Sequence, residues 1–275
     1  MKQTRAATLL AVIQVGLFSM ACGQSPRPTQ PDGIPVGLAI EGSDALRTAA
    51  TTTYRAKVSL SNGSIVDGTA TWTSSDPGVA TVLASGSVVG YRSGSARLDA
   101  SLQGLRASKT IVVVEDVFGL WIVTASSHQC EASGLPLSSW WPACGRRSVG
   151  FRTTLSLAND SVDPRRIIGR FSLGGVAAYA YGHCEPWHYG PEIPLTGDIS
   201  SDRHFGVSGE MVVPVGDIGY ASFPAGTRLT LRGDTDFVAQ GEWRGRWTLE
   251  ALAPTGRTHW GLEVSSNATA RHECG

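Results

Sequence analysis

The chain of 275 residues carries 23 Lys and Arg against 23 Asp and Glu. No net field steers it toward nucleic acid or an acidic membrane surface, which argues against both as partners. Its length suits two ordinary domains, each able to bury a core, and its 33 glycines with many Thr, Ser and Val point to an all-β chain with almost no helix after the N-terminus.

The first segment reads as a targeting signal over residues 1–21. Lys2 and Arg5 supply positive charge, Ala6 to Phe18 form an apolar run too short to span a bilayer as a stable helix, and Ser19-Met20-Ala21 places small residues before Cys22. This ending resembles the lipobox of bacterial lipoproteins. The resemblance implies cleavage before Cys22 and lipidation of that residue, although the usual Leu is replaced by Ser19 and ordinary signal peptidase would cut at the same bond. Five cysteines are present; lipidating Cys22 leaves Cys130, Cys144, Cys184 and Cys274, an even set suited to two disulfides in an exported protein. Residues 22–33, rich in Pro, Gln and Ser, read as a lipid-anchored linker.

Residues 34–115 carry closely spaced strand signals. Tyr54, Ala56, Val58 and Leu60 alternate with Arg55, Lys57 and Ser59, the two-residue period of a half-buried strand. Trp72 precedes a hard corner, Ser74-Ser75-Asp76-Pro77-Gly78, after which Val79 to Val82 resume extended structure. About seven short strands suit a small two-sheet sandwich with Trp72 as its bulky core residue. The run from Trp72 to Val82, followed by the stretch from Gly86 to Ala100, resembles the bacterial immunoglobulin-like domains of group 2. That resemblance implies a spacer or adhesive module of bacterial surface proteins, and the single copy favours a spacer.

Residues 116–275 hold all six His and seven of the eight Trp. Val149 to Leu157 and Phe205 to Val213 alternate at a period of two. From Phe237 to Ala251 apolar and charged residues alternate in a pattern expected of one long coiled strand, with glycines on its apolar face that permit the bend of a closing barrel. Thr258, Trp260, Leu262 and Val264 make a last strand, and Leu173 to Val176 suit a two-residue hairpin turn. Eight or nine such strands favour an antiparallel β-barrel, with a second sandwich as the alternative. Gly119-Leu120-Trp121 resembles the Gly-x-Trp opening of lipocalin-type barrels, which implies that Trp121 plugs the closed end.

Catalytic motifs are absent: no Gly-x-Ser-x-Gly, no His-Glu-x-x-His and no phosphate-binding Gly-rich loop. His183 and His188 crowd Cys184 and Glu185 and form the best metal candidate, short of a third ligand of known position. Asp234 and Asp236 share one strand face and read more readily as solvated carboxylates than as an acid–base pair. Trp140 and Trp141 lie between Cys130 and Cys144 in a stretch without strand alternation, and two adjacent Trp in an extended segment cannot both face one core. Bridges Cys130–Cys144 and Cys184–Cys274 are the favoured pairing; the first would close a loop that presents these aromatics to a ligand.

Together these features lead to an envelope-anchored surface lipoprotein with a non-enzymatic role, binding a glycan or protein and requiring no cofactor. Two alternatives stand beside it: a carrier of a small apolar ligand inside the barrel, and an enzyme with a dispersed site. An open interior would favour the carrier, a filled one with exposed Trp the surface binder, and a polar cleft with clustered His or carboxylates the enzyme.

Overall fold

A computed structural model of the protein describes residues 33–134, 150–173, 192–214, 223–239, 241–266 and 271–272. All its regular elements are strands. The first ten are β1 (Pro35–Glu41), β2 (Ala45–Arg47), β3 (Thr51–Thr53), β4 (Arg55–Leu60), β5 (Ile65–Gly68), β6 (Thr71–Ser74), β7 (Ala80–Val82), β8 (Ser87–Gly90), β9 (Gly94–Leu102) and β10 (Leu105–Val114). The count exceeds the expected seven because β2, β3 and β7 have three residues each, too few to show a period. They assemble as a four-stranded sheet, β2-β10-β9-β6, and two three-stranded sheets, β1-β4-β5 and β3-β8-β7.

The corner after Trp72 moves the chain from β6 in the four-stranded sheet to β7 in another. Asp76 shapes it by accepting from the backbone N–H of Gly78 (2.9 Å) and Val79 (3.3 Å) through Oδ1, the local bonding that makes Asp a turn residue. Trp72 is half-buried and touches both core clusters of this region. The enclosed aromatic is Tyr54, 1% exposed. Its hydroxyl donates to the Ser43 carbonyl at 2.7 Å, and burial pushes its phenol pKa up to about 12.

Eight strands then close into an antiparallel barrel: β11 (Gly119–Ser133), β12 (Gly150–Asn159), β13 (Arg166–Ser172), β14 (Glu192–Ile199), β15 (His204–Val212), β16 (Arg228–Ala239), β17 (Glu242–Ala253) and β18 (Gly256–Ser266). Each pairs with the next, and β11 closes the ring: Gly119 to Ser126 pair with β12, and Thr124 to Ser133 with β18. A two-residue β19 (Arg271–His272) adds to the start of β11. The run from Phe237 to Ala251, expected as one strand, is instead the junction of β16 and β17, reversed at Gly241, whose φ of +73° suits a residue without Cβ. A register shift between Phe237 and Ala239 preserves the inward parity, so the alternation reads through the turn.

Among the described residues, bulky side chains crowd the barrel interior. Trp121, Trp243, Trp247 and Trp260 are each at most 1% exposed and pack with Phe171, Phe205 and Phe237. Each enclosed indole removes roughly 150–250 Å² from water. Trp243 stacks on Trp247 at 6.2 Å and meets Trp121 edge-on at 6.1 Å. Room for Trp247 comes from Gly233, directly across the ladder: a Cβ there would lie 2.4 Å from the indole.

Between sheets and barrel there is no slack. Val114 and Val117 are fully buried in the barrel's core cluster. Asn159 is the buried fastener: its Oδ1 accepts from Val117 N (2.9 Å), and its Nδ2 donates to the carbonyls of Glu115 (3.1 Å) and Pro164 (2.8 Å). The Glu115 carboxylate accepts from Ser93 (2.7 Å) and pairs with Arg203 at 3.2 Å, close enough for an ion pair though angled away from a hydrogen bond. Asp116 pairs with Arg47 at 3.4 Å.

Candidate functional site

The up-and-down path gives the barrel two unlike ends. Where β11 begins, the connections are short, at residues 160–165, 200–203 and around Gly241. At the other end the chain leaves and rejoins the barrel across residues 135–149, 174–191 and 215–222. Trp140, Trp141, Cys144, His183, Cys184 and His188 belong to those connections and lie outside the described residues, as do Cys22, Cys274 and the turn predicted at Leu173 to Val176 beyond its first residue. Cys130 is half-buried on β11 and disulfide-bonded, with its partner outside the described residues. Trp121 lies inside the barrel at the end where β11 begins, and its Nε1 donates to the Val117 carbonyl at 3.0 Å.

Alternation sends every second residue outward, and over one stretch of five consecutive strands those residues are mostly polar. Register aligns them in two rows. One runs His204, Asp236, Arg244, Ser265, Thr124 from β15 through β16, β17 and β18 to β11; the other runs Gly206, Asp234, Arg246, Glu263, Ser126. The twist of these strands leaves a groove of about 640 Å³ over them, within the range of about 300–1,000 Å³ usual for small-molecule sites.

His204 is gripped at both nitrogens. Its Nδ1 lies 2.9 Å from Asp236 Oδ1 and its Nε2 2.7 Å from Asp234 Oδ1. Ionised carboxylates only accept, so the form that satisfies both contacts is the imidazolium, with N–H on each nitrogen. The hydrogen bond to Asp236 leads in raising the His204 pKa above the ordinary histidine range; burial opposes it, and the charges of both carboxylates with the Asp234 hydrogen bond add to the rise. A ring with both nitrogens occupied has no free lone pair to act as a general base.

Asp234 and Asp236 stand opposite Arg246 and Arg244 in register, where opposite charges ordinarily pair across a ladder. Both carboxylates turn the other way, toward His204. Among the described residues neither guanidinium forms an ion pair. Arg244 and Arg246 therefore remain as a forked pair of donors on the groove wall. The sequence shows Asp234 and Asp236 on one face, read there as solvated, and places Arg244 and Arg246 only within the charged face of a long strand; neither the arginines nor His204 stand out as a site, because their meeting depends on the β15–β16–β17 register.

A second outer recess, of about 490 Å³, is bordered by Phe118, Leu120, Ile168 and Pro194 and is largely apolar. Inside the barrel, Trp243 Nε1 and Thr258 Oγ1 are enclosed without a hydrogen-bond partner, but they belong to opposite ends of the ring and converge on no common point. Among the described residues no group of three or more His, Cys, Asp or Glu is arranged to hold a metal; the His204 cluster binds its own nitrogens instead. No family model matches the chain, and no curated protein matches it.

Proposed function

We propose that the protein is a non-enzymatic surface-binding lipoprotein of the bacterial envelope, anchored through Cys22, whose barrel binds a glycan or protein ligand on its outer wall. Residues 34–115 act as an immunoglobulin-like spacer, and the fastening around Asn159 and Glu115 makes that spacer stiff. The observation that carries the reading is the contrast across the barrel wall: four buried tryptophans inside, and ten aligned positions of mostly polar residues around a groove outside. This polarity is the reverse of a membrane-spanning barrel, which turns an apolar band outward. A filled interior weighs against an apolar cargo, and the doubly occupied His204 weighs against acid–base catalysis.

The test is saturable binding of the exported protein to envelope polysaccharide and protein fractions. Binding that saturates and weakens when Arg246→Glu reverses one groove charge supports the proposal. Binding indifferent to outer-wall charge, or micromolar uptake of an apolar dye into the barrel, contradicts it.

A further inference from the structure

The polar groups of the groove are sorted by strand. β16 presents the acceptors Asp234 and Asp236, β17 the donors Arg244 and Arg246, and beyond them β18 and β11 present the hydroxyls of Ser265, Thr124 and Ser126 together with Glu263. Neighbouring strands lie about 4.8 Å apart, so the acceptor and donor stripes are separated by roughly the width of a sugar ring. A ligand bridging them needs an anionic group toward β17 and hydroxyl donors toward β16. Each aspartate engages His204 through Oδ1, which leaves Oδ2 to accept. The guanidiniums suit a planar carboxylate, which takes two parallel N–H bonds.

We propose that this groove takes an acidic saccharide, a uronate-bearing glycan whose carboxylate is clasped by Arg244 and Arg246 while its hydroxyls donate to Asp234 and Asp236. The proposal rests on the outer-wall reading above and names the ligand class of the same site. A bare oxyanion would use the donor stripe alone and leave the acceptors idle; a neutral glycan would leave both guanidiniums without a charge partner. Glu263 stands across from Arg246 and limits the groove to ligands of low charge density, which a uronate disaccharide, with one carboxylate per polyhydroxyl ring, satisfies.

Calorimetric titration of the full chain at low ionic strength tests this, with digalacturonate, its neutral counterpart digalactose, and inorganic sulfate as probes. Digalacturonate is expected to bind at least tenfold more tightly than either. The double substitution Arg244→Gln and Arg246→Gln is expected to cost at least tenfold in that affinity without moving the thermal melt. Equal affinity for the two disaccharides overturns the acidic class, and sulfate binding as tight as digalacturonate reduces the site to an oxyanion site. Digalacturonate affinity unchanged in the double variant overturns the groove as its location. If neither disaccharide binds while envelope material still does so in an Arg246-dependent way, this proposal fails and the outer-wall reading survives; if neither occurs, both fail.

Discussion

The sheets of residues 35–114 and the barrel of residues 119–266 bury their cores with different residues. In the sheets the enclosed positions are mostly Ala, Val and Leu, with Tyr54 the one large ring fully inside and Trp72 half-buried between two small clusters. In the barrel one continuous cluster runs from Val114 to Val264 around four indoles. Sheets packed face to face enclose a core about 10 Å thick, and in this region small side chains fill most of it. Closing eight strands into a ring creates a wider interior, and this chain fills it with tryptophan. A barrel packed in this way commits its inner wall to stability, which is why the proposed recognition is assigned to the outer wall.

The largest effect that separates the two regions is expected at Trp247. Replacing it with Ala removes an enclosed indole, with its hydrogen bond to Thr235 Oγ1 at 2.9 Å, and leaves a cavity beside Gly233. The cost should be about 3–5 kcal/mol, a large share of the roughly 5–15 kcal/mol that holds a domain together. Calorimetry should show the shared melt falling steeply, further than for any single substitution in the sheets.

Next comes the fastening between them. Asn159→Ala leaves Val117 N and two carbonyls without their partner, a loss of about 2–3 kcal/mol. Because the fastener is shared, the expected signature is qualitative: a single wild-type melt should divide into two. A melt that stays single would mean that apolar contact through Val114 and Val117 suffices to couple the regions.

Trp72→Ala should cost less than Trp247→Ala, about 2 kcal/mol, since a half-buried indole gives up less apolar area than an enclosed one. A loss equal to that at Trp247 would show that the small clusters depend on this residue as the barrel depends on its indoles.

How much of this was legible in the chain varies by residue. Alternation located most barrel strands, because one face of each is apolar and the other charged. It failed at Phe237 to Ala251, where the register shift beside Gly241 kept the inward parity and hid a hairpin inside a single pattern. Trp72 was expected at the centre of its core by its isolation, yet isolation says nothing of depth, and Tyr54 took the enclosed place through its bond to Ser43. The groove was legible only in part: Asp234 and Asp236 show as a same-face pair, whereas Arg244 and Arg246 are merged into the charged face of the Phe237 to Ala251 run. That His204 would hold both aspartates depends on which residues face each other across β15 and β16, a long-range register that no local pattern encodes.

The smallest effect belongs to His204, whose side chain is 40% exposed, so that solvent screens its ion pairs. Its pKa is raised in the folded protein. The folded state therefore holds the proton more tightly, and the stabilisation is complete below the unfolded value of about 6.5 and fades as pH rises through the higher folded value. His204→Gln should flatten that part of the stability–pH curve and leave more alkaline stability unchanged. An unaltered curve would mean that the two aspartates gain nothing from the imidazolium.

The central claim is that the inner wall of the barrel holds the fold and the outer wall recognises the ligand. The most direct measurement crosses the two: thermal stability and affinity for envelope material, each in the Arg244→Gln, Arg246→Gln double variant and in Trp247→Ala at a temperature where it remains folded. The account predicts that the outer-wall variant loses binding at an unchanged melting temperature, while the inner-wall variant loses stability at an unchanged affinity. A Trp247→Ala protein that is folded but no longer binds, beside an arginine double variant that binds as before, would place recognition inside the barrel and contradict it.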